Sequence, residues 1–211
     1  MTVSTSNKPA AILNMEARHS VKQYQPGVAI PEQELEQLLQ AAQTAPSSWN
    51  LQQWKLLVID DQAQKEKLLP IAYNQKQIVE SSVVIAILGD LEGNLNAEPV
   101  FGPLAEKGQI TQEIKESLIG QINGAYKSPQ VARDEAVLNS SLLSMQLMLA
   151  AKALGYDTCP MGGFNKAQFA EAFHVPARYI PVMLITVGKA AKEAYASSRL
   201  PLDEVVVRNS F

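Results

Sequence analysis

Two cationic side chains flank a hydroxyl in the segment Arg18-His19-Ser20-Val21-Lys22. Side chains alternate in direction along an extended chain, so Arg18, Ser20 and Lys22 would point the same way. Charge-assisted donors of this kind suit a phosphate group. A solvated basic turn is the alternative interpretation of the same residues.

Short polar side chains and two tryptophans occupy the segment from Ala45 to Trp54. The candidate binding residues in it are Pro46, Ser47, Ser48 and Asn50. A turn of this composition could present amide and hydroxyl groups to a polar heteroaromatic ring. A capping turn with tryptophan packing explains the pattern equally well.

Paired glycines follow a proline in Cys159-Pro160-Met161-Gly162-Gly163-Phe164. Glycine lets the backbone approach a flat ligand closely and expose an N–H group to it. A tight turn is the simpler interpretation of two glycines in isolation. Near the C-terminus, Arg199 is a single cation that carries little weight by itself.

The motifs that the sequence lacks narrow its chemistry. It contains no G-x-G-x-x-G and no G-x-x-x-x-G-K-[ST] segment, so neither a Rossmann dinucleotide site nor a P-loop is indicated. It also lacks the G-x-S-x-G segment of serine hydrolases. Only two histidines occur, His19 and His174, too few for a histidine-rich metal site. The single cysteine, Cys159, has neighbours that offer no evident activation. We therefore expect a cofactor to carry the chemistry.

Composition restricts the class of protein and its partners. The 211 residues are 46% hydrophobic, which is enough for one globular domain with a sizeable core. A net charge of −3 without a basic stripe argues against nucleic acid as a partner. The uncharged run 136–151 is too short and too polar to cross a membrane, and no export signal is evident in residues 1–18. With its lone cysteine, the chain is expected to be cytoplasmic.

Helical patterns account for much of the chain. Apolar residues at i, i+3, i+4 and i+7 predict an amphipathic helix from Pro31 to Ala42. A shorter helix is predicted before it, ending near Arg18. The pattern from Pro129 to Leu154 predicts a long helix whose second half has almost no polar face. Such a helix must be buried all round, either in the core or against a second subunit.

Short apolar, β-branched runs predict the strands Trp54–Ile59, Ser82–Leu88 and Tyr179–Val187. A further strand is expected after Gly155, and another is possible from Leu202 to Val207. Three glycines and two prolines in 92–108 predict a loop or lid inserted in a single domain that spans 1–211. We expect an α+β fold with a mixed central sheet of about four to five strands surrounded by helices.

Together these segments resemble the nitroreductase family of flavin-dependent oxidoreductases. The resemblance covers nearly the whole chain in the family's order: Arg-His-Ser-x-Lys, Pro-Ser-Ser-x-Asn-x-Gln, Asn-x-x-Gln before a strand, Pro-x-Gly-Gly-Phe and Ser-Arg-x-Pro-Leu-x-Glu-Val. Each motif is weak alone, whereas five in order are specific. The resemblance implies a nitroreductase-like fold and a homodimer that holds FMN at the subunit interface. NADH or NADPH would be the electron donor.

Carried over by position, the family's phosphate contacts fall on Arg18, Ser20 and Arg199. His19, between Arg18 and Ser20, is a further candidate for cofactor binding. Lys22 would lie near the ribityl chain and the pyrimidine edge of the flavin and stabilise its anionic reduced form. Asn74 and Gln77 would bind the same edge.

The resemblance divides the other contacts between the two subunits. The partner subunit would supply Pro46, Ser47, Ser48 and Asn50. One side of the flavin ring would be lined by Pro160, Met161, Gly162 and Gly163, with a backbone N–H near flavin N5.

Three positions depart from the family pattern. Gln53 stands where many members have proline, and we expect little consequence. Ser197 stands where some members have a phosphate-binding lysine, which leaves fewer cations for the phosphate. Gln77 replaces a lysine of some members, and the loss of that charge would lower the reduction potential.

The implied activity is two-electron reduction of nitroaromatic, quinone or similar electron-poor acceptors by a ping-pong mechanism, with no obligatory catalytic side chain. One alternative is a flavin-binding storage or sensor protein without turnover. Another is a flavin-fragmenting or dehydrogenating enzyme of the same fold. The segment 92–108 separates the first alternative from an enzyme, because a carrier could keep it closed over the flavin.

Overall fold

A four-stranded antiparallel sheet in the order β1-β2-β4-β3 forms the centre of the molecule. Its strands are β1 Trp54–Ile59, β2 Val83–Asp90, β3 Asp157–Met161 and β4 Tyr179–Gly188. The architecture is that of a computed structural model, which describes residues 8–211. Residues 1–7, part of the segment in which we expect no export signal, lie outside the described residues.

The predicted α+β class and the number of strands are confirmed. The four strands are all antiparallel neighbours. The parallel component of the expected mixed sheet is a single bridge, between Ser20 and Thr158 of β3.

Helices cover both faces of the sheet. Their bounds are α1 Ala10–Ala17, α2 Glu32–Gln43, α3 Gln62–Ile71, α4 Gln77–Glu80, α5 Ala97–Glu106, α6 Gln112–Ala125, α7 Pro129–Ala153, α8 Lys166–Ala172 and α9 Leu202–Val205. Short 3₁₀ turns occur at Ser48–Asn50 and Gly93–Asn96. Within residues 8–211, no helix has the length and apolar character needed to cross a bilayer.

The period-two alternation of β2 divides the core into two layers. Val83, Ile85 and Ile87 pack with α2 and α7 on one face. Val84 and Ala86 pack on the other face, with the helices α3, α4 and α8. Because β2 is apolar on both sides, it is buried along its whole length.

The long helix α7 has nearly the predicted bounds. The Ser128 side chain caps it by accepting from the Val131 N–H, and Pro129 occupies its first turn. The core of this chain buries only one side of α7, so the expected burial all round would need the second subunit, which remains a prediction. The inner side, including Leu143 and Leu147, is buried, but Leu138, Leu142 and Met145 are 40–55% exposed on the outer side.

The loop predicted for 92–108 is wrong in conformation, because the segment forms a 3₁₀ turn followed by α5. Pro99 falls in the first turn of α5, where a missing N–H costs no helical hydrogen bond. Whether this segment acts as a lid remains a prediction.

The strand considered for Leu202–Val207 is also wrong within this chain. Residues 202–205 form one helical turn, and all of 202–207 is exposed. β-Branched residues form a strand only where a neighbouring strand satisfies their backbone groups, and this segment has no such neighbour among residues 8–211.

Candidate functional site

The segment Arg18–Lys22 lies in extended conformation along the outer edge of β3. Ser20 forms a parallel bridge with Thr158, and the Val21 N–H donates to the Thr158 carbonyl at 3.0 Å. Val21 is buried, whereas Ser20 and Lys22 on either side of it are exposed. Exposure thus alternates from Ser20 to Lys22, as in an extended chain, whereas Arg18 is half-buried with its Nε inside the protein. That Arg18, Ser20 and Lys22 point the same way remains a prediction.

Two buried polar atoms beside this segment have no hydrogen-bond partner, Arg18 Nε and Thr158 Oγ1. Buried polar groups are nearly always paired in native proteins, so an unpaired donor and hydroxyl at one edge are typical of a site for a polar ligand. Ser20, whose side chain is exposed, is the bridge partner of Thr158 and could contribute its hydroxyl to the same ligand.

His19 and Lys22 line different clefts. His19 lines a cleft of about 550 Å³ with Lys152, Asp157 and the segment 190–194. Lys22 lines a cleft of about 320 Å³ together with Tyr24 and Lys76. His19 and Lys22, although three residues apart, therefore face two different clefts.

The glycine turn begins where β3 ends, at Met161. A Cβ atom on Gly162 or Gly163 would meet nothing within 4 Å, so the turn borders open space. Within the described part of the chain, neither glycine donates its N–H to another backbone group. Free donors beside open space can bind the edge of a flat ligand, as expected from the sequence.

Gln77 is connected to this turn through Gln75, a residue that the sequence analysis missed. The Gln75 Nε2 donates to the Gly163 carbonyl at 2.9 Å and to the Ala72 carbonyl at 3.0 Å. The Gln77 Nε2 in turn donates to Gln75 Oε1 at 3.2 Å. The only signal for Gln75 in the sequence is its place between the two motif residues.

The turn that carries Asn74 is held in an uncommon conformation. Tyr73 and Asn74 have φ of 54° and 56°, in the left-handed region. Asparagine tolerates this region, whereas tyrosine rarely adopts it. Asn74 is exposed and Gln77 is buried, so of the two only Asn74 has its side chain largely open to solvent.

Cys159 lies in β3 beside this site and is buried. Burial raises the pKa of its thiol, and the nearby positive charge of Lys22 offsets this only in part. A thiol with a raised pKa is protonated at neutral pH, so Cys159 is not an activated nucleophile.

The turn Pro46–Asn50 lies at the opposite edge of the sheet, because it leads directly into β1. The Asn139 side chain of α7 accepts from the Ser48 N–H at 2.9 Å, and Ser47 Oγ accepts from the Gln52 N–H at 3.0 Å. Three inter-strand spacings, roughly 14 Å, separate β1 from β3. One chain therefore does not bring this turn together with the Arg18–Lys22 segment.

Arg199 also stands apart from the other cations. Its guanidinium bonds only to the carbonyl of its neighbour Ser198 among the described residues. It belongs to the segment 191–211, in which every residue but Ala194 is exposed. Within the described range, Arg199 makes no hydrogen bond to Arg18 or Ser20.

Gln53, at a position where many family members have proline, is fully buried. Its Nε2 donates to the Ser48 carbonyl at 3.3 Å, while its Oε1 and the hydroxyl of Tyr126 remain buried without a partner. Proline would lack the backbone N–H and the amide group alike. Gln53 thus bonds to the turn at Ser48, and its side chain and the Tyr126 hydroxyl both lie beside Gly93.

Known proteins resemble this chain over most of its length. A model of the nitroreductase family matches residues 15–189. YodC of Bacillus subtilis, named as an NAD(P)H nitroreductase, is 59% identical over 191 residues, which cover 90% of this chain and 95% of YodC.

Solved structures show the same likeness. A nitroreductase from Exiguobacterium sibiricum in complex with FMN superposes with a TM-score of 0.87 and 39% identity, over 97% of this chain and 99% of that one. A protein from Staphylococcus epidermidis named as an NAD(P)H:FMN oxidoreductase superposes with a TM-score of 0.88 and 36% identity, over 98% of each chain.

Proposed function

The chain belongs to the nitroreductase family, and on this premise we propose that it is an FMN-dependent oxidoreductase. It takes electrons from NADH or NADPH and reduces nitroaromatic, quinone or similar electron-poor small molecules. One observation carries the proposal: hydrogen-bond donors without a partner lie at both ends of β3. Arg18 Nε is at one end, and the N–H groups of Gly162 and Gly163 are at the other.

The residues along β3 fit the chemistry of FMN. Arg18 and Ser20 would hold the phosphate, since a cation and a hydroxyl are the donors that a phosphate prefers. Lys22, Asn74 and Gln77 would bind the ribityl chain and the pyrimidine edge. The open face of the glycine turn leaves room for the ring.

When bound, FMN supplies two-electron hydride chemistry, used alternately by nicotinamide and acceptor in a ping-pong cycle. The protein binds and orients the cofactor and adjusts its electronics. Lys22 would supply a positive charge that stabilises the anionic reduced form of the flavin. No side chain of the site has to act as an obligatory acid or base.

A second copy of the chain completes the site in this proposal. It would bring Pro46, Ser47, Ser48 and Asn50 from the β1 edge to the β3 edge of the first copy. The exposed apolar side chains on α7 and the exposed segment 191–211 are available for such a contact. We place the homodimer in the cytoplasm, where the thiol of Cys159, free in this chain, stays reduced.

FMN binding and reduction test the proposal directly. The purified protein is expected to be yellow and to bleach without oxygen on addition of NADH or NADPH. Added to stripped protein at 100 times its dissociation constant, FMN should stabilise the fold by about 2.7 kcal/mol. A melting temperature that does not rise at saturating FMN would contradict the assignment, and bound FMN that neither nicotinamide reduces would favour the storage or sensor alternative.

A further inference from the structure

Asn96 stands at the N-cap position of α5, yet its side chain makes no capping hydrogen bond to that helix. Asparagine is favoured at this position because its side-chain oxygen usually accepts from an N–H of the first turn. Here the amide has other partners. Its Nδ2 donates to the Leu51 carbonyl at 2.8 Å, and its Oδ1 accepts from Arg178 Nη2 at 3.4 Å. A carbonyl on one side and a guanidinium on the other allow only one orientation of the amide.

Arg178 is itself anchored to the central sheet. Its guanidinium donates two hydrogen bonds to the buried carboxylate of Asp90, at 2.7 and 2.6 Å. A bidentate pair of this kind fixes the plane of the guanidinium as well as its distance from the carboxylate. Asp90 is the last residue of β2, so the contacts of Asn96 lead from the sheet to the carbonyl of Leu51.

The peptide group between Leu51 and Gln52 is bonded at both ends. Its carbonyl accepts from Asn96 Nδ2, and its N–H donates to Ser47 Oγ at 3.0 Å. The Leu51 carbonyl and the Gln52 N–H belong to one planar unit, so a contact that fixes the first also fixes the second. Asn96 therefore acts on the Ser47 hydroxyl through a single peptide group.

The backbone around this peptide needs such support, because three of its residues are left-handed. Trp49, Asn50 and Gln52 have φ of 52°, 56° and 51°. Asparagine tolerates this region, whereas tryptophan and glutamine rarely adopt it. Conformations of this kind persist only where the surrounding structure holds them. Without the contact to Asn96, the Leu51 carbonyl would be free to turn toward solvent, and the Gln52 N–H would turn with it.

The bond from the Gln52 N–H decides what the Ser47 hydroxyl can do. A hydroxyl oxygen that accepts from a backbone N–H still has its own proton to donate. Ser47 is half-buried, and within residues 8–211 its hydroxyl makes no other hydrogen bond. On the premise of the proposed function, in which Ser47 belongs to the partner's FMN site, we propose that Asn96 is a positioning residue that holds the Ser47 hydroxyl as a donor to an acceptor atom of FMN.

The test is a cycle of the substitutions Asn96→Leu and Ser47→Ala, in which fluorescence titration measures the FMN affinity of the stripped protein. Leucine has nearly the size of asparagine but no donor. Each single substitution should weaken FMN binding about two- to tenfold, as for one lost hydrogen bond. The double variant should bind FMN no more weakly than Ser47→Ala alone, because the hydroxyl through which Asn96 acts is already absent. A merely structural role of Asn96 would instead multiply the two losses.

Asn94→Leu is the matched control, since Asn94 lies in the same 3₁₀ turn and its amide bonds to Asn123 on α6. It should leave FMN affinity unchanged, both alone and together with Ser47→Ala. Asn96→Asp keeps an acceptor for Arg178 and removes only the donor. It should weaken FMN binding as Asn96→Leu does, again with no further loss when it is combined with Ser47→Ala.

Multiplied losses in the double variant overturn the inference, and so does unchanged FMN affinity in a folded Asn96→Leu variant. If circular dichroism shows that Asn96→Leu is unfolded, Asn96→Asp is judged by the same two criteria, and unfolding of both variants also overturns the inference. Unchanged affinity in Ser47→Ala overturns it too, while leaving the FMN-dependent function intact. Failure of the wild-type chain to bind FMN is a separate result, which contradicts the proposed function itself.

Discussion

At the scale of single residues, the proposed flavin site holds two kinds of cation. Lys22 projects from a segment that is bridged to β3, so its position is set by the sheet. Arg199 lies on an exposed segment whose position in the assembly depends on contacts outside its own chain. Lys22 should affect the reduction potential of the flavin, and Arg199 the affinity of the protein for FMN.

Lys22→Ala should lower the two-electron potential of bound FMN, because a cation at this place favours the electron-rich reduced form. Each 1.4 kcal/mol of lost preference corresponds to about 30 mV. Reduction by NAD(P)H, followed by stopped flow at saturating FMN, should be slower. Lys127→Ala removes an exposed lysine outside the proposed site and should leave both quantities unchanged; equal behaviour of the two variants would refute the role given to Lys22.

Arg199→Ala should weaken FMN binding while turnover at saturating FMN survives. A hydrogen bond to a charged group contributes about 1.5 to 3 kcal/mol, or about tenfold to more than a hundredfold in affinity. Fluorescence titration of stripped protein measures this. Arg208→Ala, on the same exposed segment, is the control, and a changed potential with unchanged affinity in Arg199→Ala would show that Arg199 does not bind the phosphate.

Motif residues could be assigned from the sequence, whereas the residues that hold them could not. The alternation of Ser20, Val21 and Lys22 follows from the period of an extended chain, and the structure has it. Gln75 was not predicted as part of the site, and Gln53 was expected to have little consequence, because their roles depend on contacts with residues far along the chain: Gly163 for Gln75, and Asp90, whose N–H donates to the Gln53 carbonyl. No local pattern carries that information.

At the scale of elements, local signals predicted most helices and strands. Helix α2 and strand β1 follow from periodicity, a proline before the first turn and β-branched runs. The wrong predictions at 92–108 and 202–207 have different causes. Pro99 is compatible with the first turn of a helix as well as with a loop, and Pro103 lies inside α5, where proline is normally a helix breaker. The β-branched residues of 202–207 need a neighbouring strand that the sequence does not reveal.

Gly93, at the start of the 3₁₀ turn before α5, packs closely against Gln53 and Tyr126. A Cβ atom there would lie 2.5 Å from Gln53 Cγ and 2.7 Å from the Tyr126 hydroxyl. Gly93→Ala should therefore destabilise the fold by about 1 to 3 kcal/mol, as overpacking does. Denaturant unfolding at fixed protein and FMN concentrations measures the effect.

Gly120→Ala provides the opposite case for comparison. Gly120 lies inside α6, and a Cβ atom there would meet nothing within 4 Å. Alanine should stabilise the helix by up to about 1 kcal/mol. If both substitutions destabilise equally, the close approach at Gly93 is not the reason for its glycine.

At the scale of the whole molecule, the candidate site is divided between opposite edges of one sheet. The turn Pro46–Asn50 leads into β1, while the segment Arg18–Lys22 follows β3. Changes of side-chain rotamer cannot bring the two groups into contact, because β2 and β4 lie between them. In the proposed function a second chain brings the two groups together, so FMN affinity and dimerisation are expected to be coupled.

The outer side of α7 is the surface on which this coupling can be tested. Leu138, Leu142 and Met145 are exposed there in one copy, although α7 is the longest helix of the described chain and its inner side packs in the core. A stable homodimer typically buries more than about 2,000 Å². The double substitution Leu138→Lys, Leu142→Lys should give monomers at micromolar concentration by light scattering, and its FMN affinity should fall with the loss of the partner's turn.

Gln64→Lys serves as the control for the added charge, because Gln64 is exposed on α3, on the other face of the sheet. It should remain a dimer that binds FMN. Circular dichroism of the FMN-free double variant distinguishes lost assembly from lost folding, since the core side of α7 is untouched. A wild-type chain that stays monomeric at micromolar concentration with FMN bound would refute the shared site, because one copy alone would then hold the cofactor without the β1 edge of another.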